Sequence, residues 1–143
     1  MKKILIVLPL FLVLIGVSYM MTSRMESPPL PEITIDGVEI PVFQGSYCWG
    51  KLGCADTVGA KELLQGKEPV ITSPGKKIEI RYKYSPQPLL INVTQISDDH
   101  SIKFELKDGG ITAPLAKGRY YYSISASWES GEGTTSAFLI EIK

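Results

Sequence analysis

Charge of one sign, histidine and cysteine are all scarce in this chain, and each scarcity removes a class of function. The 143 residues carry 15 Lys and Arg against 15 Asp and Glu. Adjacent basic residues occur only at Lys2-Lys3 and Lys76-Lys77. Duplex binding draws its affinity from counterions released by clustered cations, so nucleic acid is not an expected partner. The one histidine is His100. A Ser-His-Asp hydrolase would have to use it, and no Gly-x-Ser-x-Gly elbow presents a nucleophile. The two cysteines are Cys48 and Cys54, and a zinc site built on them would need further ligands, with His100 far along the chain. No metal, no cofactor and no catalytic residue are expected, so the chain does not read as an enzyme. Beyond residue 21 no long helical periodicity is present, which excludes parallel crossovers through helices.

What is present first is a long apolar run. Residues 4–21 carry no charge, and Lys2 and Lys3 precede them. Eighteen residues lie near the lower limit for crossing the hydrocarbon layer as a transmembrane helix. An uncleaved anchor is the preferred reading, with a cleaved signal peptide using Gly16-Val17-Ser18 as the alternative. In both cases the positive-inside rule keeps Lys2 and Lys3 in the cytoplasm and sends the rest outward. The expected location is the cell membrane with the C-terminal domain outside, or secretion after cleavage. Lipid attachment is disfavoured, because no Cys follows the run directly. Residues 22–32 contain Ser27-Pro28-Pro29-Leu30-Pro31, an extended and semi-rigid linker.

From residue 33 to 143 the hydrophobic period is two. Ile33-Thr34-Ile35, Asp36-Gly37 and Val38 to Phe43 read as a hairpin, since Asp-Gly tolerates the positive φ angles of a two-residue turn. Pro41 suits an edge. In residues 77–84, Ile78, Ile80, Tyr82 and Tyr84 share one face. Leu89 to Ile96 and Ile102 to Leu106 form two more β-rich runs around the polar turn 97–101. The clearest pair is C-terminal: Tyr120, Tyr122, Ile124, Ala126 and Trp128 line one face, and Phe138, Ile140 and Ile142 return against them. Val58 to Gln65 alone favours helix, with Thr57 as a cap and Gly66 as a stop. Six or seven short strands in about 110 residues indicate an all-β domain, an antiparallel immunoglobulin-like β-sandwich with one short helix. A small closed barrel is the alternative.

Three clusters invite a chemical reading. Cys48 and Cys54 enclose a short Gly-containing loop, and outside the membrane a disulfide bond is the expected state. Five intervening residues depart from the Cys-x-x-Cys spacing of redox pairs. Asp98-Asp99-His100 reads as a solvated turn and Glu129 with Glu132 as part of a Gly-rich loop, neither arranged for a hard cation or for paired-carboxylate catalysis. Asn92-Val93-Thr94 matches a glycosylation sequon, expected to be idle. Aromatics are the better candidates for recognition, because rigid rings give large contact area at small entropic loss. Tyr47 and Trp49 flank Cys48, and Tyr121 faces away from Tyr120 and Tyr122, so these three are the candidate binding residues. The competing reading has Tyr47 and Trp49 covering one end of the core.

The stretch Pro69-Val70 to Pro74-Gly75-Lys76-Lys77-Ile78-Glu79-Ile80, the later Gly118-Arg119-Tyr120-Tyr121-Tyr122-Ser123-Ile124-Ser125-Ala126-Ser127-Trp128 and the closing Phe-x-Ile-x-Ile carry a resemblance. With Gly45-Ser46-Tyr47-Cys48-Trp49 they resemble small membrane-anchored or secreted immunoglobulin-like proteins of Bacillus-type bacteria, over about residues 33 to 142. The resemblance implies binding or spacing rather than catalysis. The antibody pattern of two Cys bridging the sheets over a Trp is not matched, because Cys48 and Cys54 are six apart. The expected function is a membrane-anchored extracytoplasmic binding or structural module, with an envelope protein or polysaccharide as partner. A thiol-disulfide accessory role for Cys48 and Cys54 is the alternative.

Overall fold

The alternation of residues 119–128 and their partners becomes the longest ladder in the molecule. In a computed structural model of the chain, which describes residues 27–97, 100–106 and 108–143, β10 (Gly118–Ser127) pairs antiparallel with β11 (Gly133–Ile142) over ten residue pairs. The expected apolar run 4–21, Asp98 and Asp99 lie outside the described residues. Among those described, no helix is long and apolar enough to cross a membrane.

The remaining elements are β1 (Glu32–Ile35), β2 (Val38–Glu39), β3 (Phe43–Trp49), β4 (Gly53–Ala55), α1 (Ala60–Leu63), β5 (Val70–Thr72), β6 (Lys77–Arg81), β7 (Leu90–Ile96), β8 (Ser101–Glu105) and β9 (Gly110–Thr112). They form an all-β, mostly antiparallel structure of two sheets. The smaller has the order β2-β1-β6-β9, and the larger β4-β3-β11-β10-β7-β8. Among the described residues one parallel pair exists, β5 against the last three residues of β11. No ladder joins the two sheets among the described residues.

The hairpin at the start forms as the sequence indicates. Asp36 and Gly37 both take positive φ, 50° and 78°, as a two-residue turn with the native strand twist requires. Its second arm is shorter than the alternation suggests. β2 stops at Glu39, Ile40 is buried, and the chain leaves at Pro41 to begin β3 in the other sheet. The sheets meet over a shared core of Ile33 and Ile35 from β1, Ile78 and Ile80 from β6, and Val93, Tyr122, Ile124, Phe138 and Ile140 from the larger sheet. Stacked rings of Tyr122 and Phe138, with centroids 4.5 Å apart, occupy its centre.

The registers define two ends. Glu32 stands opposite Arg81, so the linker enters at the end where β6 finishes. Tyr82 packs on Trp128 there, next to the turn between β10 and β11. The far end holds the Asp36-Gly37 turn and, across the larger sheet, Gly118 opposite Ile142. Within the Pro-rich segment Pro28 and Pro29 are half-buried and Pro31 is buried, so the packed unit begins ahead of Ile33.

Candidate functional site

Period-two alternation in β3 decides the fate of the aromatic pair. It sends Tyr47 and Trp49 inward and leaves Cys48 in solvent. Trp49 is 3% exposed. Its ring meets Trp128 edge-on at 4.9 Å and Tyr84 at 5.3 Å, while Tyr82 meets Trp128 at 5.5 Å. The Trp128 indole Nε1 donates to the Pro86 carbonyl at 2.8 Å, so the one polar atom of that ring is satisfied. The expectation that Trp49 offers an exposed ring to a partner is therefore corrected. It is a core residue that closes the linker end, and half-buried Tyr47 packs on the same cluster.

A polar trio lies beside these rings. The Tyr82 hydroxyl faces those of Thr134 and Ser136, all three buried. Burial pushes the Tyr82 phenol up to about 12, and the two neighbouring hydroxyls oppose that rise. The three oxygens sit close enough to influence one another, yet none is aligned for a full hydrogen bond. Burial raises the Tyr122 phenol as well, and its Oη donates to Gln95 Oε1 at 3.0 Å.

Cys48 and Cys54 form a disulfide, with Cα atoms 4.0 Å apart. They are direct partners across β3 and β4, joined through a 3-10 turn over Gly50–Leu52. Both cysteines are exposed. The bond clamps a hairpin at the sheet margin rather than tying the two sheets.

The third place is a groove of about 530 Å³ on the outer face of the larger sheet. α1 and the loop that follows lie over β10 and β11 and cover Ala137 and Leu139 with Leu64. Thr57 does not cap this helix. Gly59 occupies the cap position without a side-chain bond, while the Thr57 amide donates to Ser46 Oγ at 2.9 Å. Gly66 does not stop this helix, which ends at Leu63 with Leu64 as its cap; Gly66 takes positive φ in the turn that follows. Between this cover and β10, the half-buried Tyr121 ring contributes to the lining with Lys61 Nζ 5.8 Å above it. Lys67, Glu62 and Glu68 line the same groove. Arg119, also in the lining, pairs with Glu141 at 3.3 Å across the β10–β11 ladder. The groove thus offers cations, carboxylates and one aromatic ring within a single shallow surface.

Comparisons with known proteins do not extend this picture. No family model, no curated protein and no solved structure matches the chain.

Of the three candidate binding aromatics, the structure places Tyr121 in the groove and Tyr47 and Trp49 in the other cluster. It does not bring the three together. Lys61, Lys67 and Arg119 were not singled out by sequence reasoning. The available cue was Leu63-Leu64 within a chain of strands, an apolar pair that needs a surface to cover. Among the described residues no group of three His, Cys, Asp or Glu is placed to hold a metal ion. His100 is exposed, and its carbonyl accepts from the Ser97 amide at 2.9 Å.

Proposed function

We propose that the chain is a non-catalytic, membrane-anchored extracytoplasmic module of immunoglobulin-like type that binds an envelope polymer, protein or polysaccharide, in the groove at Tyr121. The observation that carries this reading is the groove itself. It combines a half-buried ring with side chains of both charge signs, on a rigid sheet face. Rings held by a scaffold lose little entropy on binding, and mixed donors and acceptors suit a hydroxyl-rich or amide-rich polymer. The apolar run 4–21 and the basic pair Lys2-Lys3 support anchoring with this domain outside.

The test is crosslinking in intact membranes. A photoreactive residue at Gln65, an exposed position in the lining, is expected to capture an envelope component, and Tyr121→Ala is expected to abolish the adduct. Adducts that persist unchanged in Tyr121→Ala would refute the assignment. A second reading is favoured by one observation, the exposure of both cysteines at the sheet margin. A thiol-disulfide accessory would turn over a disulfide substrate in a manner lost with Cys48→Ser.

A further inference from the structure

We infer that the end of the domain where the linker enters lies against the bilayer, with the corner formed by Leu89 and Leu90 seated in the lipid headgroup region. The inference rests on the anchored reading above and adds an orientation to it. Three observations carry it.

The first is topological. The linker enters beside Glu32, which stands opposite Arg81, and the loop from Lys83 to Leu89 leaves β6 at that same end. The second is the exposure of apolar side chains there. Leu89 is 74% exposed and Leu90 41%. They are fixed in place, because the Leu89 amide donates to the Ser127 carbonyl at 2.8 Å and Leu90 pairs with Ser127 in the ladder. Leu30, in the linker itself, is 40% exposed.

The third is the length of the tether. The apolar run ends at residue 21, and Pro28, Pro29 and Pro31 are already packed or half-packed on the domain. Residues 22–27 are what remain between the two. Six residues span at most about 20–22 Å even fully extended. The headgroup region adds roughly 5–8 Å on each side of the hydrocarbon core. The linker end therefore cannot stand far from the membrane surface, and exposed leucines at that distance gain by leaving water. The Tyr121 groove lies on the face of the larger sheet with Arg119 near the far end, so this orientation keeps it open to the envelope.

The experiment uses the full chain in phosphatidylcholine vesicles containing a dibrominated phosphatidylcholine. Tryptophan is introduced by Leu89→Trp or, as the far-end control, by Leu115→Trp, which replaces a side chain 79% exposed. Both sites are on the surface, and the unsubstituted chain supplies the background of Trp49 and Trp128. The bromolipid is expected to quench the added emission of Leu89→Trp at least twofold and to leave that of Leu115→Trp unchanged. Equal emission from the two variants while the chain stays with the vesicles through an alkaline wash would overturn the orientation alone. A chain that washes off the vesicles would overturn the anchored reading and this inference with it.

Discussion

Replacing Tyr82 by Phe removes one oxygen from a place where it has a close but poorly aligned welcome. The hydroxyl is buried with those of Thr134 and Ser136, none aligned for a full hydrogen bond. At pH 8 the variant is expected to be as stable as the parent or more so by about 1 kcal/mol, because a buried hydroxyl without a good partner carries an uncompensated loss of hydration. The alkaline limb separates the two chains more sharply. Tyr82 titrates near 10 when unfolded and at about 12 when folded. A raised folded-state pKa means that the native state holds the proton longer, so its contribution is intact below pH 10 and is lost as pH climbs toward 12. At pH 11 that loss is about 1.4 kcal/mol, and across the whole window about 2.7 kcal/mol. Tyr122 is shifted in the same direction but is present in both chains and cancels in the difference. Urea unfolding of residues 27–143, followed by tryptophan emission at pH 8 and pH 11, measures it. Identical alkaline slopes for parent and Tyr82→Phe would refute the reasoning.

Other outcomes follow from the same geometry. A Cβ at Gly45 would collide with Thr135 Oγ1 and lie 3.1 Å from the Thr135 carbonyl oxygen, at the bulge where β11 shifts register against β3; Gly45→Ala is expected to lose about 1–3 kcal/mol by thermal or urea unfolding. Breaking the Cys48–Cys54 bridge by the double change to Ala is expected to lower stability by about 2 kcal/mol, the amount appropriate to a short closed loop, with hydrogen exchange rising at β4 and not at β10. Trp49→Ala should cost about 3 to 5 kcal/mol, since it empties a buried site against the rings of Tyr84 and Trp128, whereas Tyr121→Ala should shift the urea midpoint far less and act on crosslinking at the groove.

The strands that could be read from the sequence are those long enough to show their period. Tyr120, Tyr122, Ile124, Ala126 and Trp128 alternate without a break, and all five are buried. β4, β5 and β9 have three residues each, too few for alternation to rise above chance; β5 and β9 depend on partners distant in sequence, and β4 on the short turn that folds it back on β3. The alternation from Ile78 to Tyr84 overruns its strand: β6 ends at Arg81, and Tyr82 and Tyr84 continue the inward rhythm without a ladder, held in part by Gln87 Nε2 donating to both their carbonyls. β11 shows the opposite failure. Ala137 and Leu139 would face water if one side of the sheet were open, but α1 covers them, so five consecutive residues from Ser136 to Ile140 are buried. The groove was illegible for the same reason. It is assembled by a four-residue helix laid across two strands that come far later in the chain, and only Tyr121 announced itself.

The disposition of the sheet margins has a consequence for crowding. Among the described residues, β2 and β9 border one sheet and β4, β8 and the parallel β5 border the other, with two, three, three, five and three residues. A border strand is a template on which a neighbouring molecule can add its own backbone, and short templates capture poorly. β4 is further pinned to β3 by its sulfur bridge, and the longest border, β8, carries Lys103 at its middle. Copies of the domain crowded together can therefore remain separate molecules rather than knit into a continuous fibre.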